Sequence, residues 1–141
     1  MRAGILFLLL LLHSSAFAAQ VALQLAGHRL RAEIADTPAL REQGLMGRTA
    51  LCGECGMLFI FPSAAPHAFW MKNTPLPLDI AFIDPDGVIT DIQSMQPYSL
   101  EVHAPGKRVL YALEMPQGWF AARKIRPGMR IETLARFHAL H

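Results

Sequence analysis

The segment 69–80 constrains the fold of this chain most, because it combines aromatic, charged and proline residues within a few positions. Alternation with a period of two would place Phe69 and Met71 on one side of an extended chain and Trp70 and Lys72 on the other. Polar side chains are thereby carried into an apolar neighbourhood, where each needs a hydrogen-bonding partner. The segment therefore predicts a strand and marks a candidate site.

Short runs typical of strands occupy most of the chain. They cover residues 21–25, 29–34, 57–61, 68–73, 78–83, 88–95, 109–115 and 130–134. The dipeptide Ala26-Gly27 between the first two runs predicts a hairpin. The run at 57–61 is apolar on both faces, which is typical of a strand buried between two layers.

Two short helices interrupt these runs. Thr37 is suited to cap a helix N-terminus, Pro38 to occupy the first helical position, and Gly44 to lie near the end. A second helix is expected within residues 117–124. The predicted fold is mainly β: a single domain of about seven to nine strands and two short helices, arranged as a β-sandwich or a partly closed barrel.

The N-terminal residues have the pattern of a secretory signal peptide. Arg2 precedes an apolar run at 5–12, and Ala16-Phe17-Ala18 follows as a cleavage site. The run is shorter than the roughly 20 residues that span a bilayer, so no membrane span is expected after cleavage. The sequence predicts a signal peptide at 1–18, a domain at 19–141, and export to the periplasm or secretion.

The charge balance argues against a nucleic-acid partner. The chain has 13 lysine and arginine residues and 11 acidic residues, a formal net charge of +2 at pH 7. Proteins that bind nucleic acid present clustered positive charge. The densest basic cluster, at 123–130, is explained by a solvated turn. We predict no nucleic-acid binding.

Several motifs resemble the DUF192 family. They are Arg41, GLMGR at 44–48, GMLF at 56–59, FWMKNT at 69–74, PLDI at 77–80, LEMPQGWF at 113–120 and Gly128. The resemblance extends from about Ala32 to Leu134 and implies a compact β-rich single domain, often exported in bacteria. It implies no activity, because the family is defined as one of unknown function. Cys52-Gly53-Glu54-Cys55 departs from the family pattern, at a position where a variable polar loop is expected.

Polar and aromatic residues of these motifs form the candidate binding site. Six are selected: Arg48, Trp70, Lys72, Asn73, Asp79 and Glu114. Lys72 and Asp79 flank a proline-containing turn, so adjacent antiparallel strands would bring their opposite charges together. Arg48 and Lys72 would hold a polar or anionic ligand that Asp79 and Glu114 orient.

Three functions are compatible with this set. The leading hypothesis is an exported, non-enzymatic β domain that binds a small polar ligand or a partner in the cell envelope. One alternative is a hydrolase of cell-envelope glycan that uses Asp79 and Glu114 as acid and base. Another is a structural accessory protein whose charged residues form a buried network. No phosphate loop, GxSxG elbow or HExxH motif is present, and we predict no cofactor.

Cys52 and Cys55 are compatible with a redox site, a small disulfide or half of a metal site. A redox motif usually precedes a helix, whereas here a helix lies upstream and a strand follows. Zinc would need two further ligands, and the histidines have no paired spacing. The sequence favours a disulfide that staples the loop, and no metal site.

Overall fold

The computed structural model describes residues 18–134 and 137 of the chain. The predicted signal peptide, apart from Ala18, lies outside the described residues. The elements are β1 (Gln20–Leu25), β2 (His28–Ala35), α1 (Pro38–Gln43), β3 (Cys55–Ala65), β4 (Leu78–Ile83), β5 (Ile89–Met95), β6 (Val109–Pro116), α2 (Trp119–Ala122) and a 3-10 helix (Glu132–Leu134). None of the described helices is long and apolar enough to cross a membrane.

The strands form one mixed sheet in the order β1-β2-β3-β6-β4-β5, which is not closed into a barrel. β2 and β3 run parallel and are connected through α1, whereas the other neighbouring strands run antiparallel. β6 is a central strand, although it is the last one in the described sequence. The prediction of a mainly β chain with two short helices is confirmed.

Each face of the sheet supports its own hydrophobic core. Leu58 and Leu113 contribute to the core that packs against α2. Phe59 and Ile80 contribute to the core on the other face, near α1. Every residue of β4 is buried. The apolar run predicted as a strand between two layers is explained by these two cores.

Local signals fix the hairpin and the first helix as the sequence predicted. Ala26 and Gly27 have φ angles of 50° and 80°, which suit a two-residue turn between antiparallel strands. The Thr37 hydroxyl accepts a hydrogen bond from the Leu40 backbone N–H at 3.2 Å, so Thr37 caps α1. Gly44 ends the helix with φ of 46°.

The strand predicted over residues 68–73 does not form. Phe69 makes an isolated antiparallel bridge with His103, and Asn73 has φ of 54°, outside the extended region. The predicted run at 130–134 is likewise a single bridge followed by the 3-10 helix. The described residues therefore form six strands, fewer than the sequence predicted, because these two runs pair with loops rather than with strands.

Candidate functional site

A cleft of about 610 Å³ lies between α1 and the loop at 68–74. Four of the six predicted site residues line it: Trp70, Lys72, Asn73 and Glu114. The loop contributes three of them, and β6 contributes Glu114. The cleft therefore brings most of the predicted set together, although residues 68–73 are a loop rather than a strand.

Glu114 has the most unusual environment of these four residues. It is 4% exposed, and it lines the cleft without forming a hydrogen bond or an ion pair with any other described residue. Burial raises the pKa of Glu114 to about 8. The carboxyl group is therefore predominantly protonated at pH 7, and it offers one O–H donor together with acceptor oxygen atoms.

Aromatic side chains form one wall of the cleft. The rings of Phe59 and Phe69 meet edge to face with centroids 4.9 Å apart, and Phe61 lies 6.1 Å from Phe69 in the same kind of arrangement. Trp70 is 46% exposed and stands at the rim. This wall supplies an apolar surface beside the polar group of Glu114.

Two cations reach the cleft, and they are held differently. The Arg41 guanidinium lies 5.4 Å from the centre of the Phe61 ring, and its Nη1 donates to two backbone carbonyl oxygens at 2.7 and 2.8 Å. The Lys72 ammonium lies 5.1 Å from the centre of the Trp70 ring. Lys72 is exposed and has no carboxylate partner among the described residues. Arg41 is thus fixed by the fold, whereas Lys72 is available to a ligand.

Asn73 acts through its backbone. Its carbonyl oxygen accepts a hydrogen bond from Gly47 N at 2.8 Å, which ties the loop at 68–74 to the segment after α1. Next to it, the buried Thr74 hydroxyl donates to the Lys72 carbonyl oxygen at 3.0 Å. These bonds position the loop that carries Trp70 and Lys72.

Arg48 does not line the cleft. Its two terminal nitrogens donate to the two carboxylate oxygens of Glu33 at 2.7 and 2.6 Å. The hydrogen bonds to Glu33 raise the pKa of the Arg48 guanidinium. The paired geometry makes Arg48 a link between β2 and the segment after α1, outside the cleft.

Asp79 is also absent from the cleft, and its predicted pairing with Lys72 does not form. Its carboxylate accepts hydrogen bonds from the Ser94 hydroxyl at 2.6 Å and from Gly118 N at 2.8 Å. The Asp79 side chain is buried, and these two hydrogen bonds replace the ones that it would form with water in the unfolded chain. Asp79 holds the turn before α2 against β4 and β5.

The strand register separates the two acids that the glycan-hydrolase alternative would use as a catalytic pair. Asp79 lies opposite Met115 in the β4–β6 pairing, and Ile80 lies opposite Glu114. Residues directly opposite each other share a face, and successive residues alternate between faces. Asp79 and Glu114 therefore point to opposite sides of the sheet and cannot act on one substrate as an acid–base pair.

Arg41, Phe59 and Phe61 are among the cleft residues that were not selected from the sequence. A signal for the two phenylalanines existed, since they stand two positions apart on β3 and so project to one face. Arg41 was recognised as a family motif but not as a cleft residue, because its position depends on contacts with Ile60 O, 19 positions away, and with the Phe61 ring.

A second chemically distinctive region lies outside the cleft. Cys52 and Cys55 form a disulfide in the turn before β3. Arg31 Nη2 lies 3.5 Å from the Cys52 sulfur and 3.8 Å from the Cys55 sulfur. Within residues 18–134 and 137, no group of three or more His, Cys, Asp or Glu side chains is arranged to hold a metal ion.

Comparison with known proteins places the sequence and the fold in context. The DUF192 family model (Uncharacterized ACR) matches residues 21–133. One similar protein of known crystal structure comes from Sinorhizobium meliloti 1021 and is described as a candidate transcription regulator. Its sequence is 40% identical to this chain, its structure matches with a TM-score of 0.75, and the match covers 80% of this chain and 91% of that one. A protein of unknown function from Novosphingobium aromaticivorans DSM 12444 is 34% identical, with a TM-score of 0.80 and coverage of 85% and 89%. No curated protein matches the chain.

Proposed function

We propose that this chain, which belongs to the DUF192 family, is an exported, non-enzymatic domain that binds a small polar ligand in the cleft beside α1. The observation that carries the proposal is the Glu114 carboxyl group, which is buried, lines the cleft and has no partner among the described residues. A ligand that enters the cleft therefore meets a carboxyl group that no described side chain or backbone group already occupies, and it can hydrogen-bond to that group.

The protonated Glu114 carboxyl group favours a ligand with a carboxamide. An amide places a carbonyl acceptor and an N–H donor side by side, which complements the O–H and C=O of a neutral carboxyl group. The charged residues that line the cleft besides Glu114 are Arg41, Glu42 and Lys72, so the cleft carries a net positive charge at pH 7. This charge favours an anionic group on the ligand, close to the exposed Lys72.

The aromatic wall favours a ligand with an apolar or sugar face. Trp70 offers a ring at the rim, and aromatic faces beside polar groups suit carbohydrate rings. N-acetylated sugars that bear carboxylates and short peptides combine all three features. Fragments of this kind occur in the cell envelope, which is the compartment that the predicted signal peptide implies.

The rival functions have weaker support. A glycan hydrolase that uses Asp79 and Glu114 would need both carboxyl groups on one face of the sheet, and they lie on opposite faces. The relative from Sinorhizobium meliloti 1021 is described as a candidate transcription regulator. The near-neutral charge of this chain gives little support for extending that description to it.

The proposal is tested by thermal-shift measurements followed by calorimetric titration of the purified protein. The probes are muramyl dipeptide, N-acetylglucosamine oligomers and free N-acetylmuramic acid. We expect at least one probe to raise the Tm of the wild-type protein. The same probe should bind about tenfold less tightly to the Trp70→Ala and Lys72→Met variants. Lys107→Met is the control, since Lys107 is exposed and lies outside the cleft.

Two results would contradict the proposal. One is that no probe binds, which would leave a structural accessory role as the better explanation. The other is that a probe binds with the same affinity to the wild type, to Trp70→Ala and to Lys72→Met, because the cleft would then not be the binding site.

A further inference from the structure

The disulfide loop is accessible from solvent. Cys52 is exposed and Cys55 is half-buried. The bond encloses only Gly53 and Glu54, and a hydrogen bond from Cys55 N to Cys52 O closes the same turn at 3.0 Å. A bond that closes so short a loop removes little entropy from the unfolded chain. Conformational stabilisation is therefore a weak explanation for this pair of cysteines.

Arg31 is placed beside both sulfur atoms by the sheet itself. In the parallel pairing of β2 with β3, Arg31 lies opposite Cys55. The Arg31 backbone N–H donates to the Glu54 carbonyl oxygen at 2.8 Å. The guanidinium then reaches Cys52 Sγ at 3.5 Å and Cys55 Sγ at 3.8 Å. Its position follows from the strand register.

The charge of Arg31 is directed at the sulfur atoms. Among the described residues it has no carboxylate partner within ion-pair distance. Glu54, the acid between the two cysteines, is bound instead by Arg123 Nη2 at 2.5 Å and by the Trp119 indole N–H at 3.1 Å. The hydrogen bond from Trp119 lowers the pKa of the Glu54 carboxyl group, and Arg123 and His28 lower it further. The surroundings of the sulfur atoms therefore favour negative charge on them.

We propose that Cys52 and Cys55 form a redox-active disulfide that exchanges electrons with an external dithiol, and that Arg31 is the positioning residue that stabilises its reduced form. A nearby cation stabilises a thiolate relative to a thiol. The disulfide carries no charge, so the same cation favours reduction of the bond. Arg31 thereby takes the role that a helix N-terminus has in other C-x-x-C sites.

The exchange proceeds by two displacements. A thiolate of the dithiol attacks the exposed Cys52 sulfur, a mixed disulfide forms, and the Cys52–Cys55 bond breaks with its electron pair on Cys55 Sγ beside Arg31. The second thiolate of the dithiol then displaces Cys52 as a thiolate. The protein gains two electrons and the dithiol becomes a disulfide. The two protons of the dithiol go to the solvent or to the cysteine thiolates. The reverse sequence oxidises a substrate dithiol.

This activity is separate from the proposed ligand binding, since neither cysteine lines the cleft beside α1. A reacting partner would reach the disulfide through the exposed Cys52, and Arg31 and Glu54 next to it line a groove on the side of β1 and β2. The two proposals therefore succeed or fail independently.

The test is an equilibrium titration of the purified full chain with reduced and oxidised dithiothreitol, read as alkylated thiols by intact mass. We expect Arg31→Met to shift the equilibrium constant about tenfold towards the disulfide, which corresponds to about 30 mV, and Arg31→Lys to recover part of the shift. Arg29→Met is the matched control, because it removes the same charge from β2 two positions away. It should leave the constant within about twofold.

A second measurement reports the thiolate directly. The absorbance of the reduced protein at 240 nm, followed against pH, should reveal a thiol with a pKa below the usual value of about 8.5, and this pKa should rise in Arg31→Met. The proposal is overturned if Arg31→Met and Arg29→Met change the constant equally. It is also overturned if the thiols of the wild type titrate at the usual value, or if dithiothreitol leaves the disulfide oxidised.

Discussion

Asp79 and Glu114 belong to adjacent strands of one sheet and point to opposite faces of it. Both side chains are buried, but Asp79 accepts two hydrogen bonds whereas Glu114 has no partner among the described residues. One acid is therefore structural, and the other is predominantly neutral at pH 7 and faces a cleft. Substitutions at the two positions should have opposite consequences.

Replacement of Asp79 should destabilise the protein strongly. Asp79→Ala removes the acceptor for two donors, Ser94 Oγ and the Gly118 backbone N–H, so we expect a loss of about 3 kcal/mol in the free energy of unfolding, measured by urea denaturation. Lys72→Met serves as the control, since Lys72 is exposed and should change stability by less than about 0.5 kcal/mol. Equal stabilities for the two variants would refute the structural role of Asp79.

Glu114 should make stability depend on pH. Its pKa is about 8 in the folded protein against an ordinary value of 4.5 for a solvated glutamate, so the folded state binds the proton more tightly than the unfolded state. The stabilisation is complete below about pH 4.5, declines as the pH rises, and is lost above about pH 8. Glu114→Gln cannot ionise, so at pH 9 it should exceed the wild type by up to about 5 kcal/mol.

Urea denaturation of both proteins from pH 4 to pH 9 measures this difference. The two profiles should converge at the acidic end and separate towards the alkaline end. Profiles that stay parallel throughout would show that Glu114 does not titrate as its burial implies.

Gly56 should tolerate no side chain. A Cβ atom there would lie 2.1 Å from the Glu114 carbonyl oxygen and 2.4 Å from Met115 Sδ. Gly56→Ala must therefore push β3 away from β6, and we expect a loss of about 3 kcal/mol or more. Gly53→Ala is the matched control, because a Cβ at that position meets no atom within 4 Å. Denaturation midpoints that coincide for the two variants would contradict this packing.

Arg48 should contribute modestly to stability and not to ligand binding. Its side chain is 43% exposed, so solvent screens its ion pair with Glu33. We expect Arg48→Ala to cost about 1 kcal/mol, with a smaller difference at high salt. Affinity for any probe that binds in the cleft should be unchanged. A variant with normal stability and lost binding would return Arg48 to the site.

The exported form should begin at Ala19. Cleavage after Ala18 follows from the A-x-A pattern behind the apolar run. Intact-mass measurement of the protein from a periplasmic fraction tests this directly. A soluble form in that fraction that retains residues 1–18 would contradict cleavage.

Features determined by neighbouring residues could be predicted from the sequence. The cap at Thr37, the helix start at Pro38 and the turn at Ala26-Gly27 each depend on a few consecutive positions. The apolar strands were recognisable for the same reason. Such signals predict the mainly β composition, but not which strands become neighbours.

The errors concern interactions between distant residues. Asp79 receives its hydrogen bond from Gly118, 39 positions away, so the nearby Lys72 was the wrong partner. Arg31 and Cys52 are 21 positions apart in the sequence, and they come together only because β2 and β3 pair in parallel. Glu114 within an apolar run was a signal that the sequence did carry, since a buried acid without a nearby cation needs another partner.

The central position of β6 determines when this sheet can be completed. β3 and β4 follow each other in the sequence, yet β6 is inserted between them and pairs with both. Until residues 109–116 have been synthesised, β3 and β4 each present an unpaired edge, which includes residues 56–59 of β3 and all of β4, the residues that are buried in the complete sheet. We expect chains truncated before residue 109 to aggregate, and the nascent chain to stay unfolded until late in its synthesis. Such late completion of the sheet is compatible with the export proposed above, in which the chain would pass through a translocation channel before it folds.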